Sequence, residues 1–137
     1  MINFSRVCVT SSFGHEIRNL LITHDPEVNC LTVLFISKSF GTIIAGEAAR
    51  EFKHLNIRNL FLTPVGHTVP YINETDCTVI YGSADPYFLQ SDVDKISDSR
   101  KLIALPGADH SLEVGADYRA SLGYLARVCE VAEAFLK

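Results

Sequence analysis

The sequence predicts an α/β fold, a three-layer sandwich with a mainly parallel sheet of about five strands. Three observations carry that expectation. Short apolar runs alternate with stretches of helical spacing. Leu31 to Ile36 is almost unbroken apolar and rich in β-branched residues, the pattern of a parallel strand covered on both faces. That run passes without a spacer through Ser37, Lys38, Ser39, Phe40 and Gly41 into a segment of good helix formers, a strand-turn-helix corner.

Taken in order, Phe4 to Thr10 reads as a short strand, Ser11 to His15 as a turn of small residues and Glu16 to Ile22 as a brief helix. Thr23 to Asn29 is a polar connector. Leu31 to Ile36 is the second strand. Thr42 to His54 is its helix, with Ile43, Ile44, Ala48 and Phe52 expected on the buried side. Ile57 to Leu62 is a third strand, ended by Pro64, and Thr63 to Asp76 reads as a long irregular loop. Cys77 to Tyr81 is a fourth strand ending at a Gly82 turn. Asp92 to Ser99 has helical character, and Lys101 to Leu105 is a fifth strand closed by Pro106 and Gly107. The last helix is expected from about Ala116 to Phe135. Tyr118, Leu122, Leu125, Cys129, Ala132 and Leu136 recur at intervals of three and four and should face the sheet.

Size and charge narrow the function. A chain of 137 residues, 47% of them hydrophobic, suits a single domain spanning 1–137 with one core. Twelve Lys and Arg against 16 Asp and Glu give a net charge of −4, so nothing suggests a nucleic-acid surface. No apolar run approaches a membrane span, and residues 1 to 24 lack the apolar block of a secretion signal. The four cysteines, Cys8, Cys30, Cys77 and Cys129, include no CxxC pair and read as buried free thiols in a reducing, cytoplasmic setting. No metal motif is present, His15, His24 and His54 have no partners at ligand spacing, and no cofactor is expected.

Ligands of parallel sheets bind at the carboxyl ends of the strands. The polar residues just past those ends are Ser37 and Ser39, then His67, then Asp85, then Asp109 and His110. A serine hydroxyl is a poor nucleophile unless a base stands within hydrogen-bond reach and an acid sets that base's tautomer. This set supplies one of each, from three different strands.

In that order the residues resemble the C-terminal part of an α/β-hydrolase, over roughly Cys30 to Lys137. The family's nucleophile elbow G-x-S-x-G corresponds to Ser37-Lys38-Ser39-Phe40-Gly41, with serine in place of the first glycine. VIYGSADPYF, Val79 to Phe88, resembles the segment that delivers the acid, and LIALPGADHSLEV, Leu102 to Val114, the last strand and histidine loop. The resemblance implies Ser39 as nucleophile, Asp85 as orienting acid and His110 as base. It also implies that the backbone N–H of Phe40 faces the oxyanion. A second oxyanion N–H would come from Ser12 or Phe13 if Phe4 to Thr10 and Ser11 to Gly14 are a contracted version of the family's oxyanion strand and loop. If that strand is instead its neighbour, the second donor is absent. His67, Tyr87 and Phe88 are expected to line the substrate site, with Phe13 and Tyr71 beside them. Asp109 is expected to cap its loop or face solvent, and Lys38 to lie at the rim.

There is no room for a cap domain, so the expected pocket is shallow and suits a small carboxylic ester or thioester. An exposed sheet side makes a homodimer as reasonable as a monomer. The alternatives are a weak or inactive truncated hydrolase-like protein acting as a binding module, and a nucleotide-binding α/β protein. The absence of GxGxxG and of a GKS or GKT loop speaks against the last.

Overall fold

The computed structural model describes residues 32–137. Strand β1, Thr32–Lys38, runs into helix α1, Gly41–Glu51, and then β2, Asn56–Leu62. A 3-10 turn, Gly66–Thr68, leads into a short α2, Val69–Glu74, followed by β3, Asp76–Gly82. The chain continues through α3, Gln90–Val93, and β4, Lys101–Leu105, to the long α4, Tyr118–Phe135. The four strands pair in chain order, β1-β2-β3-β4, and every pairing is parallel. Four expected strands are therefore present in register. The fifth candidate, Phe4 to Thr10, lies outside the described residues, as does the Glu16 to Ile22 helix.

The two faces of the sheet build two cores, because successive strand residues point to opposite sides. Phe61, Val79 and Tyr81 pack with Ala45 of α1, Val69 and Ile72 of α2, and Phe88 and Ile96. Leu60, Ile80 and Leu105 pack with Val128, Val131 and Phe135 of α4 on the other side. Helix, sheet and helix make the three layers.

Three expectations are corrected here. The stretch 63–76 is not an irregular loop: it holds the 3-10 turn and α2, whose Pro70 stands at the first helical positions, where a missing N–H costs nothing. Burying Val69 and Ile72 against the core stabilises this short helix beyond its own propensity. On α1 the buried residues are Thr42, Ala45 and Gly46, rather than Ile43, Ile44, Ala48 and Phe52. The cause is the close approach of α2: a Cβ at Gly46 would fall 2.5 Å from Cβ of Tyr71, so only small side chains fit at that contact. On α4 the inward stripe is Val128, Val131 and Phe135. Tyr118, Leu122, Leu125, Leu136 and Cys129 are exposed instead of facing the sheet. Both stripes have helical spacing and lie one residue apart, so periodicity alone does not choose between them.

Candidate active site

The site forms at the carboxyl ends of the strands. β1 ends at Lys38, and Ser39 follows with φ of 54°, a left-handed conformation rare for a residue with a side chain. The Ser39 N–H donates to the Leu62 carbonyl at 3.0 Å, which hangs the corner on the end of β2. The Ser39 carbonyl accepts from the Thr42 amide at 3.0 Å and from the Thr42 hydroxyl at 2.6 Å. Thr42 Oγ1 also lies 2.7 Å from Thr68 Oγ1 in a buried pair, tying α1 to the 3-10 turn. Helix α1 thus begins with no side-chain cap of its own, and the Ser39 hydroxyl is left for other use.

That hydroxyl meets His110. Ser39 Oγ lies 2.8 Å from His110 Nε2, and His110 Nδ1 lies 2.7 Å from Asp85 Oδ2. The three side chains form a Ser-His-Asp triad in a linked chain of hydrogen bonds. Asp85 is only 2% exposed, while the imidazole retains partial access to solvent. A buried carboxylate needs its oxygens satisfied. Oδ2 has the imidazole, and Oδ1 accepts the Tyr87 N–H at 2.8 Å. The Ser-Ala-Asp-Pro-Tyr turn therefore supplies both the acid and the amide that steadies it.

Close packing brings the acid turn to the histidine loop. A Cβ on Gly82 would fall 2.1 Å from the Ala108 carbonyl oxygen, so the end of β3 accepts only glycine. Ala84 N–H donates to that same carbonyl at 2.9 Å, and the Gly107 N–H donates to Ser83 Oγ at 2.8 Å. Gly107 takes φ of 72°, which turns the chain sharply after β4. Asp109 Oδ1 then accepts the N–H groups of Ser111 and Glu113 at 2.8 and 3.0 Å. The Glu113 bond chiefly holds the Asp109 carboxyl below its ordinary range, outweighing the opposing effect of burial, with a lesser contribution from the Ser111 bond. Asp109 therefore folds the loop on which His110 sits. Lys38 is exposed, and its Nζ donates to the His110 carbonyl at 3.2 Å.

The predicted site residues distribute as follows. Ser39, His110 and Asp85 come together. Phe40 is exposed beside Ser39, and its backbone N–H at the head of α1 has no acceptor among the described residues. Tyr87 is 60% exposed, with its ring edge-to-face on the His110 ring at 4.9 Å between centroids. His67 is exposed on the 3-10 turn. Phe88 is a core residue, 2% exposed and packed against Tyr81, so its side chain does not line an open surface. Tyr71 is held on α1, where its hydroxyl donates to Glu47 at 2.7 Å and Arg50 lies 5.0 Å over its ring. Ser12 and Phe13 lie outside the described residues.

Sequence reasoning passed over Thr42 and Thr68, because two threonines 26 positions apart carry no local signal of pairing. It also passed over Ser83, although S-A-D-P announces a turn that a serine can help close. A groove lined by Val93, Ile96, Arg100 and Leu102 lies at the amino end of β4, the opposite end of the sheet from the triad.

No protein-family model matches the chain, and neither a curated protein nor a solved structure matches it. The likeness rests on the chain's own residues. A small parallel sheet with flanking helices carries serine, aspartate and histidine at its strand ends, in the arrangement of a reduced α/β-hydrolase fold.

Proposed function

We propose that the protein is a serine hydrolase that cleaves a small carboxylic ester or thioester through an acyl-enzyme on Ser39. The unbroken path from Ser39 Oγ through both ring nitrogens of His110 to the buried Asp85 carboxylate supports this reading above all. In this reading His110 Nε2 takes the proton from Ser39 as its oxygen attacks the carbonyl. Asp85 holds the tautomer with the proton on Nδ1 and stabilises the imidazolium that forms. His110 returns the proton to the leaving alcohol or thiol. Water, activated by the same nitrogen, then releases the acid and restores Ser39. The Phe40 N–H, backed by the amino end of α1, faces the developing oxyanion.

The exposed Phe40 and Tyr87 rings flank the nucleophile and base and suit an apolar acyl or leaving group. His67 lines the approach to the same site. Single-domain organisation over 1–137 without a cap belongs to this proposal. So does a cytoplasmic setting, which the free thiols of Cys77 and Cys129 favour. Among the described residues no helix is long and apolar enough to cross a membrane.

The test uses a fluorophosphonate probe with mass spectrometry, alongside hydrolysis of a short p-nitrophenyl ester. Labelling is expected on Ser39 and should vanish in Ser39→Ala and His110→Ala. Ester turnover should fall by at least about 10⁴-fold in either variant and by a similar factor in Asp85→Asn. A folded wild-type protein that takes no label and turns over no ester would refute the proposal.

A further inference from the structure

We infer that the outer stripe of α4 is a self-association surface, on which a second copy of this chain docks with its own α4 running antiparallel. Tyr118, Leu122, Leu125, Cys129, Ala132 and Leu136 are spaced by alternating steps of four and three residues. That is the 3.5-residue repeat of a two-helix seam. Of these residues the core takes only the partly buried Ala132. Leu122 is 60% exposed and Leu125 57%, while the inward stripe of Val128, Val131 and Phe135 is spent on the core.

Charge selects both the occupant and its direction. Arg119 and Glu133 flank the seam on its solvent side, and neither has an ion-pair partner among the described residues. They stand at equal distances in sequence from Ala126, which occupies the same flank. An antiparallel copy therefore sets Arg119 against Glu133 of the second copy, and the two-fold axis repeats the pair. A parallel copy would place the two residues at different heights and on opposite sides of the seam from their equivalents, where Arg119 and Glu133 cannot pair. In the antiparallel register Tyr118 meets Leu136, Leu122 meets Ala132 and Leu125 meets Cys129. At the two inner contacts a leucine thus meets a small side chain across the seam. Arg127 and Glu130 of α4 satisfy each other at 2.9 Å and add no net charge.

An 18-residue helix is about 27 Å long and about 10 Å wide, so the strip covers roughly 300 Å² in projection. A standard interface takes roughly 800 Å² of accessible surface per partner. The dimer is accordingly weak and concentration-dependent.

Sedimentation equilibrium of the full chain, from low to high micromolar concentration, reads the mass against the 15.2 kDa monomer. The expected result is a reversible rise towards twice that mass, abolished in Leu122→Glu/Leu125→Glu. Arg119→Glu should shift the midpoint to higher concentration, and adding Glu133→Arg should restore it. In Leu125→Cys, oxidation should link the introduced thiol to Cys129 of the second copy, giving a covalent dimer on a non-reducing gel. A chain that stays monomeric throughout overturns the inference. So does a dimer indifferent to these substitutions, which would place the contact on another surface such as a sheet edge. Because neither Leu122 nor Leu125 belongs to the triad or its hydrogen-bond chain, fluorophosphonate labelling of Leu122→Glu/Leu125→Glu should equal wild type, which separates this inference from the proposed hydrolase activity.

Discussion

At Ser39 the chain holds a left-handed φ of 54°, which costs an L-residue roughly 1–2 kcal/mol. Hydrogen bonds on both sides, to Leu62 and from Thr42, keep it there. The conformation turns the hydroxyl out of the fold toward His110. Ser37, standing where the family elbow has glycine, is tolerated because the helix start leaves it room. Even a Cβ on Gly41 would lie 3.8 Å from Ser37 Cβ, an ordinary contact. The pattern of small residues around the corner was therefore legible in the sequence, and so were the three triad residues, since each follows a recognisable strand. Asp109 was legible only as a loop residue. Its Oδ1 gathers two amides from the histidine loop, and those bonds lower its folded pKa below the unfolded value. The stabilisation is present above the unfolded pKa and fades as pH falls through the folded one, so the loop should loosen in acid below the ordinary carboxylate range. Asp109→Ala should loosen it at neutral pH as well. The expected signs are faster hydrogen exchange at the Ser111 and Glu113 amides and a loss in kcat of up to about 100-fold from a misplaced base. Unchanged exchange in the variant would contradict the assignment.

Among the elements, the strands were the most readable and the helix faces the least. β2 and β3 announce themselves because a buried parallel strand is apolar on both sides. β1 and β4, the outer strands of the described sheet, carry apolar runs but are only partly buried, with Ile36 of β1 exposed rather than covered as expected. Helix α4 shows why faces fail. It carries two apolar stripes one residue apart, and only the packing of Val128, Val131 and Phe135 on Leu60, Ile80 and Leu105 selects between them. Mutations distinguish the stripes directly. Phe135→Ala should lower stability by about 3–5 kcal/mol in urea denaturation. Leu125→Ala, measured in dilute solution, should stay within about 0.5 kcal/mol of wild type. Equal losses at the two positions would mean that the inward face is misassigned. Helix α2 was missed because six residues with a proline near the start look like loop, and only burial of Val69 and Ile72 makes them a helix.

At the scale of the whole described fold, two cores sandwich one sheet, and the one packed by α1 and α2 encloses a thiol. Burial of Cys77 pushes its thiol up to about 11 from an ordinary value of 9.0. The folded state thus holds this proton more tightly than the unfolded chain. The resulting stabilisation is complete below about pH 9 and is lost as pH rises toward about 11. Alkylation of the native protein at neutral pH should modify the exposed Cys129 and spare Cys77, as read by peptide mass mapping. Rapid labelling of Cys77 without unfolding would show that this core opens. All four cysteines were expected to be buried free thiols. Cys77 is, Cys129 is free but exposed because the neighbouring stripe of α4 turns inward, and Cys8 and Cys30 lie outside the described residues.

The strand order has one more outcome. Ser39 follows the first described strand and His110 the last, 71 positions downstream, on opposite edges about 14 Å apart across three strand spacings. The histidine loop must reach back over the tops of β2 and β3 to close the 2.8 Å contact. A nascent chain on the ribosome therefore carries its nucleophile long before its base, and it stays chemically silent until the fourth strand has been laid down.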